Sequence, residues 1–340
     1  MYPLRRRVAR VFFILAACYG LLGIAALAVR LAFGERWIVS SVVTMSLQFL
    51  LMPSLVLLPV CLIARRPRTA LLLAPGFVAF MAVYAVFFLP RSSPVPSDAP
   101  RIRLLTYNMH AERSLLKPMA DVIRSSGADI VAMQEFSPEA AQYIDTALSD
   151  LYPYRALHPV SSPYHGRGIL SRYPIQADKA WPEEYPIPVR LQRVEILAQG
   201  QHLTIYNMHA PPSFPIYGQG LDFGPRGQQI SDLLALASAD AGAVILMGDF
   251  NTLDLDENYA HITAQYHDAY REMGWGLGFT NPDWSWENSR EGLAFIPPYQ
   301  RVDYVFYRGP LATAQAQVWP TSGGSDHRPV YVELGLLSGD

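Results

Sequence analysis

Cysteine is almost missing from this chain. Its 340 residues include two, Cys18 and Cys61, and both lie in apolar runs near the N-terminus. Residues 101–340 have none, which excludes a disulfide framework or a Cys-based metal site there. The absence suits an oxidising compartment. Acidic residues are scarce in the first hundred positions, which carry 2 Asp+Glu against 10 Lys+Arg. Residues 101–340 reverse the balance, with 27 against 17. The net charge of −2 hides this division. An acidic domain repels a phosphate backbone except where a metal or local Arg intervenes, which argues against a general nucleic-acid binder. No internal repeat at a fixed period is visible.

Charge is also missing from the interiors of three apolar stretches, residues 11–29, 37–63 and 70–89. Each reaches the roughly 20 residues that cross a bilayer core as a helix. Three transmembrane helices are expected. A signal peptide is the competing reading for the first stretch, but its apolar core is long and no convincing small-residue cleavage site comes after it. Pro53, Pro59 and Pro75 fall in the second and third stretches, where kinks are tolerated. Arg5, Arg6, Arg7 and Arg10 precede the first stretch, and Arg65, Arg66 and Arg68 separate the second from the third. The other side receives Arg30, Arg36 and Arg91, with Glu35. Arg-rich segments stay in the cytoplasm. The N-terminus is therefore expected there, and everything after Leu89 outside. No intramembrane charge suggests transport, so residues 1–89 read as an anchor.

Residues 90–100, PRSSPVPSDAP, form a Pro/Ser linker. From Arg101 onward, short apolar runs alternate with helical stretches. Strands are expected at residues 102–107, 129–134, 168–171, 190–198, 203–207, 243–247, 302–307 and 330–334. Helices are expected at 117–126, 138–148 (capped by Ser137) and 226–238. Several strands succeed one another without a helix between them. That favours an α/β domain over 101–340, with two packed mixed sheets flanked by helices.

Polar residues cluster at the ends of the apolar runs, where a rigid scaffold can aim them into one cleft. Asn108 ends LLTYN and Glu135 ends DIVAMQE. His209 ends LTIYNMH, and Asp249 and Asn251 close VILMGDFN. Asp326 and His327 lie in GGSDHRP, just before the last strand. Singly, each has an ordinary explanation as a turn, cap or satisfied core residue. Asp303 is different, because a charge between Val302 and Tyr304 inside a strand is costly unless paired. Together they form an oxygen-rich set with two His and no Cys, which suits Mg²⁺, or Mn²⁺, more than Zn²⁺. Among weaker candidates, His110 and Arg167 could line the cleft. Arg193 and Arg226 could bind substrate or pair locally, while Arg301 and Arg328 read as structural partners. Two Gly/aromatic loops, residues 214–223 and 275–286, could border the substrate or pack on their own domain.

The motifs TYNMH, MQEF, GILSRYPI, YNMHAPP, LMGDFNT, QRVDYVF and SDHRPV occur in that order and cover nearly all of residues 101–340. In this set the domain resembles the endonuclease/exonuclease/phosphatase superfamily of DNase I-like enzymes. The resemblance implies a four-layer α/β sandwich and a Mg²⁺-dependent phosphoesterase. It implies Glu135 as principal metal ligand, with Asn108 and Asp326 beside it. It makes Asp249 the residue that aligns the attacking water and Asn251 a phosphate holder. His327 would stabilise the scissile phosphate, Asp303 would orient that imidazole, and His209 would touch phosphate. The favoured substrate is a lipid or membrane-derived phosphodiester. An extracytoplasmic nuclease is the alternative, ahead of a phosphomonoesterase or a non-catalytic membrane-bound binding module.

Overall fold

The computed structural model describes residues 2–110, 116–161, 165–181, 190–212, 224–283 and 298–337. The chain divides into two compact units, Met1–Leu89 with Leu255–Glu257, and Pro90–Asp254 with Asn258–Asp340.

The first unit holds α1 (Tyr2–Phe33), α2 (Ile38–Leu51), α3 (Ser54–Ile63) and α4 (Pro67–Tyr84), the last running into a 3-10 turn, Ala85–Phe88. Two helices, Leu4–Phe33 and Pro67–Phe88, are long and apolar enough to cross a membrane. The second expected span is broken. Helices α2 and α3 meet at 44°, so the unit has two candidate spans, or three if this bent pair is one. Pro53 sits at the break, where its missing N–H interrupts the helical ladder. Gly20 lets α1 approach α4, since a Cβ there would lie 2.9 Å from the Leu72 carbonyl.

The second unit carries β1 (Arg101–Asn108), α5 (Leu116–Ser126), β2 (Ile130–Gln134), α6 (Pro138–Ala147), β3 (Tyr154–His158), β4 (Arg167–Ser171), β5 (Ile175–Ala180), β6 (Leu191–Ala198), β7 (Gln201–His209), α7 (Gly224–Ser238) and β8 (Ala243–Asp249). It continues with α8 (Glu257–Thr263), β9 (His267–Asp268), α9 (Ala269–Met273), β10 (Asp303–Arg308), β11 (Leu311–Val318) and β12 (Val330–Leu336). Ser137 caps α6 through the Ala140 N–H. One six-stranded sheet has the order β11-β12-β1-β2-β4-β3, the other β5-β6-β7-β8-β10-β9.

Each sheet has one parallel pair at its centre, β1 with β2 and β7 with β8. Parallel strands end at the same edge, so Asn108 stands beside Gln134, and His209 beside Asp249. Strand β10 runs antiparallel to β8 and starts where β8 ends, which puts Asp303 opposite Asp249. Likewise β12 is antiparallel to β1, with Val330 opposite Thr106, so the residues just before β12 arrive at the Asn108 edge.

Strand alternation then selects the face. Leu105, Tyr107, Val131, Met133 and Leu170 pack outward onto Met119, Ile123 and Ile144 of α5 and α6. On the other sheet Tyr206, Met208, Leu246, Tyr304 and Phe306 pack onto Ile230 and Leu233 of α7. The intervening residues, including Asn108, Gln134, Asn207, His209, Asp249 and Asp303, face the opposite way, between the sheets. The result is a helix–sheet–sheet–helix sandwich, as expected.

A polar seam joins the sheets beneath the site. Asn207 Nδ2 donates to the Met133 carbonyl (3.0 Å) and the Gly168 carbonyl (3.2 Å). Its Oδ1 accepts from Gln134 Nε2 at 2.8 Å, and Gln134 also donates to Thr106 Oγ1 at 3.1 Å. All five groups, three side chains and two carbonyls, belong to buried residues, so removing one partner strands others. Asn207→Leu is expected to destabilise this unit by about 3 kcal/mol, from two or more orphaned groups. A thermal unfolding midpoint within a degree of wild type would refute this account of the seam.

Candidate active site

The loop after each central strand delivers a functional side chain. Glu135 follows β2 with φ 53°, and Asn251 follows β8 with φ 48°. His110, after β1, has φ 44°. Left-handed backbone is uncommon for residues with a Cβ, and all three cases turn a side chain toward the same edge. Gly248 has φ 144°, and a Cβ there would lie 1.9 Å from the Met208 carbonyl oxygen. Only glycine lets β8 pass this close to β7 and present Asp249 beside His209.

Eight of the ten expected site residues converge. Asn108 Nδ2 donates to Glu135 Oε1 (3.0 Å) and to Asp249 Oδ2 (3.1 Å), and so ties the two sheets' carboxylates together. Its Oδ1 accepts the His110 N–H at 3.0 Å. Asp249 Oδ1 accepts the Asn251 N–H at 2.9 Å, and Asn251 Nδ2 donates to Asp249 Oδ2 (3.2 Å) and the Ala210 carbonyl (2.8 Å). His209 Nε2 lies 3.6 Å from Glu135 Oε1 and 3.7 Å from Asp249 Oδ2. His327 Nδ1 contacts Asp303 Oδ2 at 2.8 Å, and its Nε2 faces Asp249 Oδ2 at 3.9 Å. Asp326 Oδ1 stands 3.2 Å from His110 Nδ1, whose other neighbour is Glu135 Oε2 at 3.5 Å.

The two arginines do not join this cluster in the same way. Arg193 pairs with Glu195 and with Asp240, which lies ahead of β8 and so at the sheet edge opposite Asp249. That network, with Tyr206 donating to Asp240, is structural. Arg226 is buried, and its Nη1 donates to the Asn251 carbonyl, behind the left-handed turn. It supports Asn251 from within. His110 stands closer to the chemistry than the sequence suggests. Ser325 is a site residue that sequence reasoning misses altogether: its hydroxyl donates to the Asn108 carbonyl (2.7 Å) and accepts the His327 N–H (3.0 Å). A serine two residues before a histidine gives no sequence signal for such a bridge. Residues 214–223 lie outside the described residues, as do 284–286 of the second loop.

Burial of so many acids has an electrostatic cost. Desolvation pushes the Asp249 carboxyl well above the usual carboxylate range, against the pull of His327, and nearby Asp303 and Glu135 raise it further. Burial likewise raises Glu135, opposed by His110 and the Asn108 amide. Burial alone would lower His327. Asp303 foremost, then Asp249 and Asp326, overcome that and hold it well above its ordinary value, as an imidazolium. Such an excess of buried carboxylate fits a divalent cation. Asp249, Asp303 and His327 place ligand atoms within 4.8 Å of one another and could hold one. The imidazole nitrogen facing Asp303 is already engaged there, however, and a metal would have to displace a proton. The Glu135 and Asp326 carboxylates offer oxygens alone, which suits a hard cation better, with His110 now lying between them.

The sequence profile of the Endonuclease/Exonuclease/phosphatase family matches residues 105–327. A UPF0294 protein of Vibrio vulnificus strain CMCP6 is 27% identical over 143 residues, 42% of this chain and 42% of its own length. A second, from strain YJ016, is 28% identical over 142 residues, 41% of this chain and 42% of its length. The chain thus aligns with under half the length of these curated relatives. Among solved structures, truncated TDP2 of Caenorhabditis elegans is 19% identical with a TM-score of 0.53, covering 69% of this chain and 98% of that one. TDP2 of D. rerio complexed with single strand DNA product is 18% identical with a TM-score of 0.55, covering 69% and 99%. An endonuclease/exonuclease/phosphatase family protein from Leptotrichia buccalis is 21% identical with a TM-score of 0.52, covering 68% and 99%. At these identities the likeness is one of fold.

Proposed function

The chain belongs to the Endonuclease/Exonuclease/phosphatase family, and on that premise we propose that it is a membrane-anchored, Mg²⁺-dependent hydrolase of phosphodiesters that attacks with water. One observation carries the reading: Asn108 donates at once to Glu135 and Asp249, so two sheets present their acids to a single point. Glu135 and Asp326 would hold the cation, which when bound would neutralise phosphate charge and stabilise the charge that develops in the transition state.

The chain's own residues do the rest. Asp249, fixed by three amide hydrogen bonds from Asn108 and Asn251, orients a water and accepts its proton. His327, locked by Asp303 and Ser325, turns a cationic Nε2 toward the same space and meets the phosphate oxygens. His209, between Glu135 and Asp249, contacts phosphate. Asn108 acts as a positioning residue. The Asn251 amide already donates twice within the fold, so holding phosphate would take one of those bonds. No covalent protein intermediate is required.

Residues 1–89 serve as the anchor, 90–100 as the linker and 101–340 as the catalytic domain, outside the cytoplasm. The apolar spans and the acidic character of residues 101–340 favour a lipid phosphodiester as substrate. The full-length chain in phospholipid nanodiscs, supplied with Mg²⁺, should cleave bis-p-nitrophenyl phosphate and bilayer phospholipid. Silence toward both and toward plasmid DNA, with metal bound, would end the hydrolase reading. Cleavage of plasmid DNA alone would transfer the assignment to a nuclease. A reporter fused after Asp340 and active only in the cytoplasm would reverse the orientation.

Metal binding has its own test. Glu135→Gln is expected to weaken Mn²⁺ binding by about 10- to 100-fold in calorimetry, the scale at which altered metal shells lose affinity. An unchanged titration would remove Glu135 from the metal site.

A further inference from the structure

Among the described residues of the second unit, Trp275 is by far the most exposed large apolar side chain. Trp275 is 66% exposed, whereas Tyr143, Tyr154 and Leu236 are at 40% or below. It stands in the sequence GWGLG, after α9, where Gly276 and Gly278 take φ 78° and 68°. These glycines carry the chain through a bend at Gly276, directly after the exposed indole. The root of the turn is fixed, since Tyr270 Oη donates to the Trp275 carbonyl.

Beyond this turn the chain joins the catalytic edge. The Arg328 N–H donates to the Thr280 carbonyl at 2.9 Å, and the Asp283 N–H to the Asp326 carbonyl at 2.7 Å. Arg328 Nη2 also donates to Asp283 Oδ1 at 3.1 Å. Residues 280–283 therefore run alongside residues 326–328, and Trp275 stands five residues ahead of that stretch in the chain. An exposed indole, rooted through its own carbonyl and five residues along the chain from a segment that touches the catalytic edge, has the chemistry of an interfacial anchor. Its ring partitions to the headgroup level of a bilayer, with an apolar body and a polar N–H.

We propose that Trp275 inserts into the phospholipid interface and seats the catalytic edge on the membrane surface, so that the substrate is a bilayer phospholipid taken in place. This rests on the phosphodiesterase reading and narrows it to a surface-bound lipid. Two alternatives are tested against it: base stacking on single-stranded nucleic acid, and a purely structural indole.

The test uses the full-length chain in phosphatidylcholine/phosphatidylglycerol nanodiscs. Trp275→Ala should lower turnover of disc phospholipid by about tenfold and leave bis-p-nitrophenyl phosphate turnover within about twofold. Trp275→Phe should retain part of the lipid activity. Dibrominated phosphatidylcholine should quench the emission component that Trp275→Ala removes. Equal lipid rates in wild type and variant, or an unquenched Trp275 component, would overturn the proposal. So would equal losses on lipid and soluble ester, which would mark the indole as structural, or a selective loss on single-stranded DNA. Should neither ester turn over, the phosphodiesterase reading fails, and quenching still decides whether Trp275 enters the bilayer.

Discussion

Replacing Asp249 with Asn is expected to lower kcat by about 10³-fold, within the range for removing a general base. Two effects add. The carboxamide cannot accept a proton from water. It also places an NH2 or a single oxygen where Oδ1 and Oδ2 now accept from the Asn251 N–H, the Asn251 amide and the Asn108 amide. At least one of these donors then faces another donor. Because Asn108 also holds Glu135, the disturbance reaches the proposed metal ligand. The loss should fall on kcat, with KM little changed, since the attacking water rather than the bound ester loses its partner. Mn²⁺ calorimetry and thermal unfolding on the same variant separate chemistry from collapse. A folded, metal-binding Asp249→Asn enzyme within tenfold of wild type would strip Asp249 of its assigned role.

Among the described residues, the sequence pattern identifies all eight interior strands and misses four. Those four, β3, β5, β9 and β11, are the outer strands of the two sheets. An interior strand is covered on both faces and reads as an apolar run, such as AVILMGD in β8. An edge strand such as IQADKA in β5 is largely exposed, and LATAQAQV in β11 alternates small and polar residues without an apolar run. The pattern there resembles a loop. The interior strands alone are enough to locate the site, because the motif residues lie at their ends. What the pattern does not supply is partnership. Arg193 and Arg226 look alike in sequence, yet one belongs to an ion-pair network with Asp240 and the other supports the Asn251 turn. Long-range pairing of this kind depends on which strands become neighbours. Only the sheet order reveals it. The break between α2 and α3 is a milder case: Pro53 announces a kink, but its size depends on the helices around it.

His327→Ala is expected to cost about 10²- to 10³-fold in kcat, the scale for removing one preorganised donor from developing charge. The imidazole is built to be such a donor. Its Nδ1 meets Asp303 at 2.8 Å, its backbone N–H is held by Ser325 Oγ, and the Ser325 hydroxyl donates in turn to the Asn108 carbonyl. The side chain therefore has one orientation and, under the fields of Asp303, Asp249 and Asp326, a positive charge. This chain of contacts predicts a graded series. Asp303→Asn keeps the ring but removes the charge that stabilises it, and should cost about 10- to 100-fold. Ser325→Ala removes two neutral hydrogen bonds, each worth about 1 kcal/mol, neither of which touches the phosphate, and should cost less than about tenfold in kcat. A double variant of His327 and Asp303 should be no worse than His327→Ala, because Asp303 acts only through the ring. Strict additivity of the two losses would show Asp303 acting on something else. The buried strand carboxylate would then be a metal ligand, alongside Asp249, and no longer a partner for histidine.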